Sequence, residues 1–164
     1  MKKIVFIRHA KSSWAQENIS DFDRPLNERG IKDAPVMAQR LLDQGIYPDF
    51  WISSSALRAK STAQVFKDVF KDDTPIYYSD ALYHASQDNL LQEIRNLDQD
   101  KKCVFLFGHN PGLTDFVNAL CRIHIDNIPT TGCAMVRIHA ERWEDIQLGE
   151  NELIHFDFPK NTAL

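Results

Sequence analysis

The sequence is short of several things, and each shortage excludes a class of protein. It has three cysteines, Cys103, Cys121 and Cys133, an odd number at wide spacing. That is no disulfide frame; it reads as small core side chains in a reducing, cytoplasmic compartment. No Cys/His spacing resembles a zinc site, and neither a metal nor another cofactor is expected. His124 and Asp126 lie close together as chance neighbours. No apolar run approaches the roughly 20 residues of a membrane span. The run after the basic Met1-Lys2-Lys3 is cut at Arg8, unlike a signal peptide. A basic excess is also missing: 19 Lys and Arg against 23 Asp and Glu leave a net charge of -4. That argues against a nucleic-acid or membrane-surface partner, though not against a local cationic pocket. No G-x-G-x-x-G follows a strand and no Gly-Lys-Ser/Thr occurs, so dinucleotide and P-loop nucleotide sites are set aside.

What remains is 164 residues, 43% hydrophobic and 26% charged, enough for one domain with a sizeable core. Strand and helix signals alternate. Strands are predicted at 2–7, 50–52, 76–78 and 103–107, with closing strands at 134–139 and 153–158. Helices are predicted at 28–44, 56–70, 89–97 and 111–122. Residues 8–26 read as a polar, irregular segment, and the tail from Pro159 as frayed. Pro35 sits awkwardly in the first helical pattern, since an interior proline costs about 3 kcal/mol. A kink, or a helix that begins near Asp33, is expected there. Ser53-Ser54-Ser55 reads as the cap of the next helix, with Leu57, Ala63, Val65, Phe66 and Phe70 facing inward. The alternation implies an α/β protein: a three-layer α/β/α sandwich around a mostly parallel sheet, as a single domain over 1–164 with no internal repeat.

Two buried strands end in histidine. Ile4-Val5-Phe6-Ile7 runs into Arg8-His9, and Val104-Phe105-Leu106-Phe107 into Gly108-His109-Asn110-Pro111-Gly112. In open α/β sheets, ligands bind beyond the carboxyl ends of the strands, so both imidazoles are delivered towards one site. Either histidine taken singly is ordinarily a loop or capping residue; the pairing is what points to chemistry. Arg58 lies near a helix N-terminus, where the dipole disfavours a cation unless an anion is bound. Arg24 is a further candidate. The plain alternative for each arginine is a solvated charge or an ion pair. Together these residues fit phosphoryl transfer: a neutral histidine as nucleophile, with arginines and a second imidazole supplying fixed positive charge.

With those motifs in view, the chain resembles the histidine phosphatase superfamily, which shares the phosphoglycerate mutase-like fold. Four segments carry the resemblance over about residues 4–130. They are Ile7-Arg8-His9-Ala10, with alanine in place of the family's glycine; Leu26-Asn27-Glu28-Arg29-Gly30; Ser54-Ser55-Ala56-Leu57-Arg58-Ala59-Lys60-Ser61-Thr62-Ala63; and Gly108-His109-Asn110-Pro111. The small size, the lack of a large cap insertion and Asp23-Arg24-Pro25-Leu26 are similar to the short SixA-type phosphohistidine phosphatases. The resemblance implies His9 as nucleophile, Arg8, Arg24 and Arg58 as phosphate ligands, and His109 as a phosphoryl contact; Asn110 and the amides after it are a weaker implication. The substrate would be a phosphorylated small molecule or a phosphohistidine protein.

The chain departs from the family where many relatives carry a glutamate general acid. Here Asp80-Ala81-Leu82-Tyr83-His84-Ala85-Ser86 puts His84 at that place, either as an acid or as a rim residue. A missing carboxylate favours P–N substrates, whose imidazole leaves neutral once its other nitrogen is protonated, or esters with good leaving groups. Ala10 is compatible only with φ < 0. Ser12, Trp14, Phe22, Tyr83 and Thr131 are candidate pocket walls. A phosphomutase on a small metabolite and a phospho-ligand-binding module with weak catalysis are the competing readings. The oligomeric state is not legible.

Overall fold

The computed structural model describes residues 1–161. One six-stranded sheet has the order β3-β2-β4-β1-β5-β6. Its strands are β1 (Lys2–Arg8), β2 (Phe50–Ser54), β3 (Tyr77–Ser79), β4 (Cys103–Gly108), β5 (Cys133–Ile138) and β6 (Glu152–Asp157). The pairs β3–β2, β2–β4 and β4–β1 are parallel, whereas β5 and β6 add antiparallel to the far edge. The helices are α1 (Glu28–Asp43), α2 (Leu57–Phe70), α3 (Gln87–Arg95) and α4 (Gly112–Cys121). The expected three-layer α/β fold is therefore present, with a mixed sheet.

Period-two alternation along the central strands sorts the core onto two faces. Ile4, Phe6, Val104 and Leu106 pack with Leu90 and Ile94 of α3 and Leu113, Phe116 and Leu120 of α4. Val5, Ile7, Phe105 and Phe107 pack with Ala34, Met37 and Leu41 of α1 and Ala63 and Phe66 of α2. β1 is buried on both faces, which is why it reads as an uninterrupted apolar run.

Several local expectations are corrected. The first helix does not wait for Asp33: it begins at Glu28 and carries Pro35 inside it. Asn27 caps it by accepting from the Gly30 amide at 2.8 Å. The carbonyl that Pro35 cannot serve belongs to Ile31, which is 61% exposed and within reach of water. Ser53-Ser54-Ser55 does not cap α2; the cap position is Ala56, without a side-chain bond. Leu57 faces outward rather than inward. The third helix starts at Gln87, where the Ser86 hydroxyl accepts from the Asn89 amide. The tail is anchored at its start, because Arg40 donates to the carbonyls of Phe158 and Pro159; residues 162–164 lie outside the described part. Of the cysteines, Cys121 and Cys133 are buried and Cys103 half-buried, all as free thiols.

Gly30 shows how the fold reaches the site. A Cβ there would lie 2.2 Å from the Lys11 carbonyl oxygen. Only glycine lets the first turn of α1 press against the segment that follows His9. The Asn27 amide donates to the same Lys11 oxygen at 2.9 Å, pinning that segment in place.

Candidate active site

Strand register brings the two histidines together. Arg8 pairs with Gly108 across β1 and β4, and the His9 amide donates to the Gly108 carbonyl at 3.1 Å. His9 and His109 therefore leave the sheet side by side, with ring centroids 5.1 Å apart. Both are buried. β2 lies on the other side of β4 with Ser53 opposite Phe107, so Ser54 arrives beside His109.

The two rings are held by opposite nitrogens. His9 Nδ1 is 2.7 Å from the Ala10 carbonyl oxygen. A carbonyl only accepts, so Nδ1 carries the hydrogen and Nε2 keeps its lone pair. Arg58 Nε donates to that Nε2 at 3.4 Å. Burial, helped by the Arg58, Arg8 and Arg24 charges and opposed by the Ala10 bond, pushes His9 down to about 4. His109 is held through Nε2, 2.8 Å from Ser54 Oγ, while its buried Nδ1 meets no protein partner. Burial, then the proximity of His9 and Arg58, pushes His109 down to about 3. Both imidazoles are neutral at pH 7.

Three guanidinium groups surround them. Arg58, 4% exposed at the start of α2, donates to the Asp21 carbonyl at 2.6 Å and to Asp21 Oδ2 at 3.0 Å. Arg24 donates to Asp21 Oδ1 at 3.0 Å and to Ser12 Oγ at 2.6 Å, and its guanidinium lies 3.6 Å from the Trp14 ring centre. Arg8 donates to the Ile128 carbonyl at 3.0 Å, and its buried Nε has no protein partner. Orphaned polar groups on both Arg8 and His109 are what an oxyanion would satisfy.

Asp21 joins this cluster without having been singled out from the sequence. Tyr83 Oη donates to its Oδ2 at 2.5 Å. That bond, with those from Arg24 and Arg58 and against the opposing effect of burial, holds the carboxyl well below the usual carboxylate range. The only signal in the sequence was the i,i+3 spacing of Asp21 and Arg24. Ser54 was likewise read as a cap although it bonds His109. Thr62 is a third such residue: its hydroxyl accepts the Ala10 amide at 2.9 Å and donates to the Arg58 carbonyl at 2.7 Å. Ala10 is absent from the positive-φ residues, as its alanine requires.

All five candidate wall residues touch the site or its arginines. Ser12 and Trp14 hold Arg24. Phe22 packs edge-on against Tyr83 at 5.0 Å. Thr131, buried with φ 60°, donates its amide to the carbonyls of Arg8 and His9. His84 sits at the mouth with its side chain 68% exposed, 3.8 Å from Asp21 Oδ2, and its ring centre is 6.4 Å from that of His109. Asn110 does not fit a phosphate-binding role for its side chain. Its Nδ2 donates to Asn127 Oδ1 and the Ile128 carbonyl, and its Oδ1 accepts from the Thr114 amide and hydroxyl. Neither N–H is left for a ligand. No group of three or more His, Cys, Asp or Glu side chains among the described residues is placed to hold a metal ion. A cleft of about 340 Å³ opens beside His109, walled by His84, Gln87, Gly112 and Asp115. A larger cleft of about 440 Å³, between β3 and α3, contains no cationic side chain and none of these residues.

The fold and the site define an α/β protein that gathers three arginines and two neutral, buried imidazoles where its parallel strands end. The histidine phosphatase superfamily (branch 1) matches residues 4–86, and the chain belongs to that family. Among solved structures, a protein of Agrobacterium tumefaciens assigned as the phosphohistidine phosphatase SixA is 30% identical, with a TM-score of 0.83 over 96% of this chain and 98% of that one. The protein histidine phosphatase SixA complexed with tungstate shares the fold at a TM-score of 0.84 and 20% identity, over 98% of this chain and 99% of that one. A 2,3-bisphosphoglycerate-dependent phosphoglycerate mutase of Gloeothece citriformis is 33% identical over 87 residues, 49% of this chain but only 37% of the mutase. No helix among the described residues is long and apolar enough to cross a membrane.

Proposed function

We propose that this protein is a metal-independent phosphatase that cleaves phosphohistidine, and more slowly phosphate monoesters, through a phosphohistidine intermediate on His9. The observation that carries this reading is the state of His9: buried, neutral, with Nδ1 committed to the Ala10 carbonyl and Nε2 facing Arg58. A neutral nitrogen with a fixed lone pair beside a guanidinium is a nucleophile for phosphorus. Arg8, Arg24 and Arg58 are the phosphate ligands in this reading. His109, with Ser54 donating to its Nε2, presents Nδ1–H to a phosphoryl oxygen.

In the first step His9 Nε2 forms a bond to phosphorus as the bond to the leaving group breaks. An imidazole leaving group departs neutral, keeping the proton on its far nitrogen. In the second step water attacks, the P–N bond to His9 breaks, inorganic phosphate leaves and the imidazole is restored. The likeness to the Agrobacterium protein supports the phosphohistidine reading. The mutase reading is weaker, because the likeness to a mutase covers little more than a third of that enzyme.

The test is a screen of phosphohistidine-bearing protein against a panel of small phosphate esters, with His9→Ala as control. Phosphohistidine should turn over fastest, chelators should leave the rate unchanged, and vanadate or tungstate should inhibit. A protein inert until a divalent cation is added, or one that keeps its phosphoenzyme until an acceptor is supplied, would overturn the reading.

A further inference from the structure

A carboxylate inside a phosphate pocket is an unexpected neighbour. Asp21 takes up donors of Arg24 and Arg58 and lowers the positive charge there by one. It therefore weakens the grip on any phosphoryl group, whatever that group is attached to. Such a residue is best understood by what it does to the rest of the substrate.

Three observations define that role. A carboxylate offers about four lone-pair sites. Arg24, Arg58 and Tyr83 use three of them, and the side chain is still 40% exposed. An imidazole already stands against it: His84 Nε2 is 3.8 Å from Asp21 Oδ2, with its ring centre 4.0 Å from that of Tyr83. His84 itself fills the space beside Asp21 and Tyr83, within reach of His109, so a substrate ring of that size takes this place only when the 68%-exposed His84 side chain swings out.

We propose that Asp21 sets substrate selectivity: its carboxylate accepts the N–H of a phosphorylated imidazole and repels phosphate esters that carry a carboxylate of their own. The inference rests on the phosphohistidine reading and names the residue behind it. A protonated phosphoimidazole has a cationic N–H on the nitrogen away from phosphorus, and that form is the one with a neutral leaving group. As the substrate P–N bond breaks and the bond to His9 Nε2 forms, the proton stays on the departing imidazole and Asp21 remains a carboxylate. A phosphoglycerate-like ester places an anion against Asp21 instead, which also disfavours the mutase chemistry.

The test compares kcat/KM for a phosphohistidine peptide, phenyl phosphate and 3-phosphoglycerate in wild type, Asp21→Asn and Tyr83→Phe. Dividing by phenyl phosphate removes any general effect on fold or arginine placement, and comparing variants cancels intrinsic leaving-group reactivity. In Asp21→Asn the phosphohistidine ratio should fall about tenfold and the 3-phosphoglycerate ratio should rise about tenfold, the size of one charge interaction at a partly exposed site. Tyr83→Phe keeps the charge and should leave both ratios unchanged. Ratios in Asp21→Asn within about twofold of wild type would overturn the inference, leaving Asp21 as a holder of arginines. A wild-type protein that cleaves phenyl phosphate but not phosphohistidine would instead overturn the function reading, with the 3-phosphoglycerate ratio still deciding whether Asp21 repels anions. Inhibition of the wild-type protein by inorganic phosphate gives an answer that needs no variant. Protonated imidazole should strengthen that inhibition and acetate should not; equal effects would contradict the proposal.

Discussion

His9 and His109 occupy equivalent places at the ends of adjacent parallel strands, are equally buried and are both neutral, yet they are wired in opposite senses. His9 gives its Nδ1 hydrogen to the backbone and keeps the lone pair on Nε2. His109 anchors Nε2 on Ser54 and leaves Nδ1 without a protein partner. A neutral imidazole is a donor at one nitrogen and an acceptor at the other. Two such rings can therefore divide the work of nucleophile and charge stabiliser through their anchors alone. The backbone anchor cannot be lost by side-chain substitution, whereas the Ser54 anchor can.

The comparison is broken most severely at His9, the proposed nucleophile. His9→Ala should reduce kcat by at least about 10⁴-fold, since the remaining groups have nothing to attack with. A residual rate within tenfold of wild type would remove His9 from the mechanism. His109→Asn should cost about 10²–10³-fold, the scale of one lost oxyanion donor. Phosphoenzyme should still form on His9 in that variant, only more slowly; if labelling vanished and His9 were intact, the two roles would be reversed.

Both rings also set the acid stability. Each titrates at 6.5 when exposed, and is held down to about 4 or about 3 in the fold. Below pH 6.5 the unfolded chain binds protons that the folded chain refuses, so stability falls as pH falls. At pH 5 the two should together cost about 3–4 kcal/mol relative to pH 7. Asp21 has the same sign in a lower window: its depressed carboxyl adds stability above about pH 3.8 and loses it only below that. The window from pH 7 to 5 thus reports the imidazoles. Urea midpoints in wild type and His109→Asn should differ in their pH slope, the variant being flatter; parallel slopes would contradict the buried neutral state.

The Ser54 anchor sharpens the contrast at a smaller cost. Ser54→Ala should lower kcat about tenfold, with KM little changed, on the scale of one buried hydrogen bond. Ser54→Thr should restore it. Nitrogen NMR should show His109, not His9, losing its single tautomer in Ser54→Ala. Smallest of all, His84→Ala should change phosphohistidine turnover by less than about fivefold, because the His84–Asp21 pair is long and exposed. A larger loss confined to unactivated esters would establish His84 as the acid.

How much of this was legible follows from where the information sits. The strand-end histidines and Arg58 belong to short segments whose local pattern announces them, and parallel register then brings them together without further information. The layers were readable for the same reason: residues 104–107 form an unbroken buried run, and period-two alternation divides it between two helical faces. Asp21 was not readable. It lies in a polar segment without periodicity, and its partners Arg58 and Tyr83 are 37 and 62 residues away. Ser54 was misread because a serine before a helix is a good cap; only the position of β4 gives it a histidine instead. Asn110 erred in the other direction. The family pattern puts it beside His109, but the nearby Asn127, Ile128 and Thr114 use up its amide.

The central claim is that the phosphoryl group passes through Nε2 of His9. Rapid quench of the wild-type protein with labelled substrate, followed by peptide mapping and phosphorus–nitrogen NMR, tests it directly. The label should be acid-labile and base-stable, and should sit on Nε2 of His9. A label on His109, on Nδ1 of His9, or on no histidine while turnover proceeds, would contradict the account.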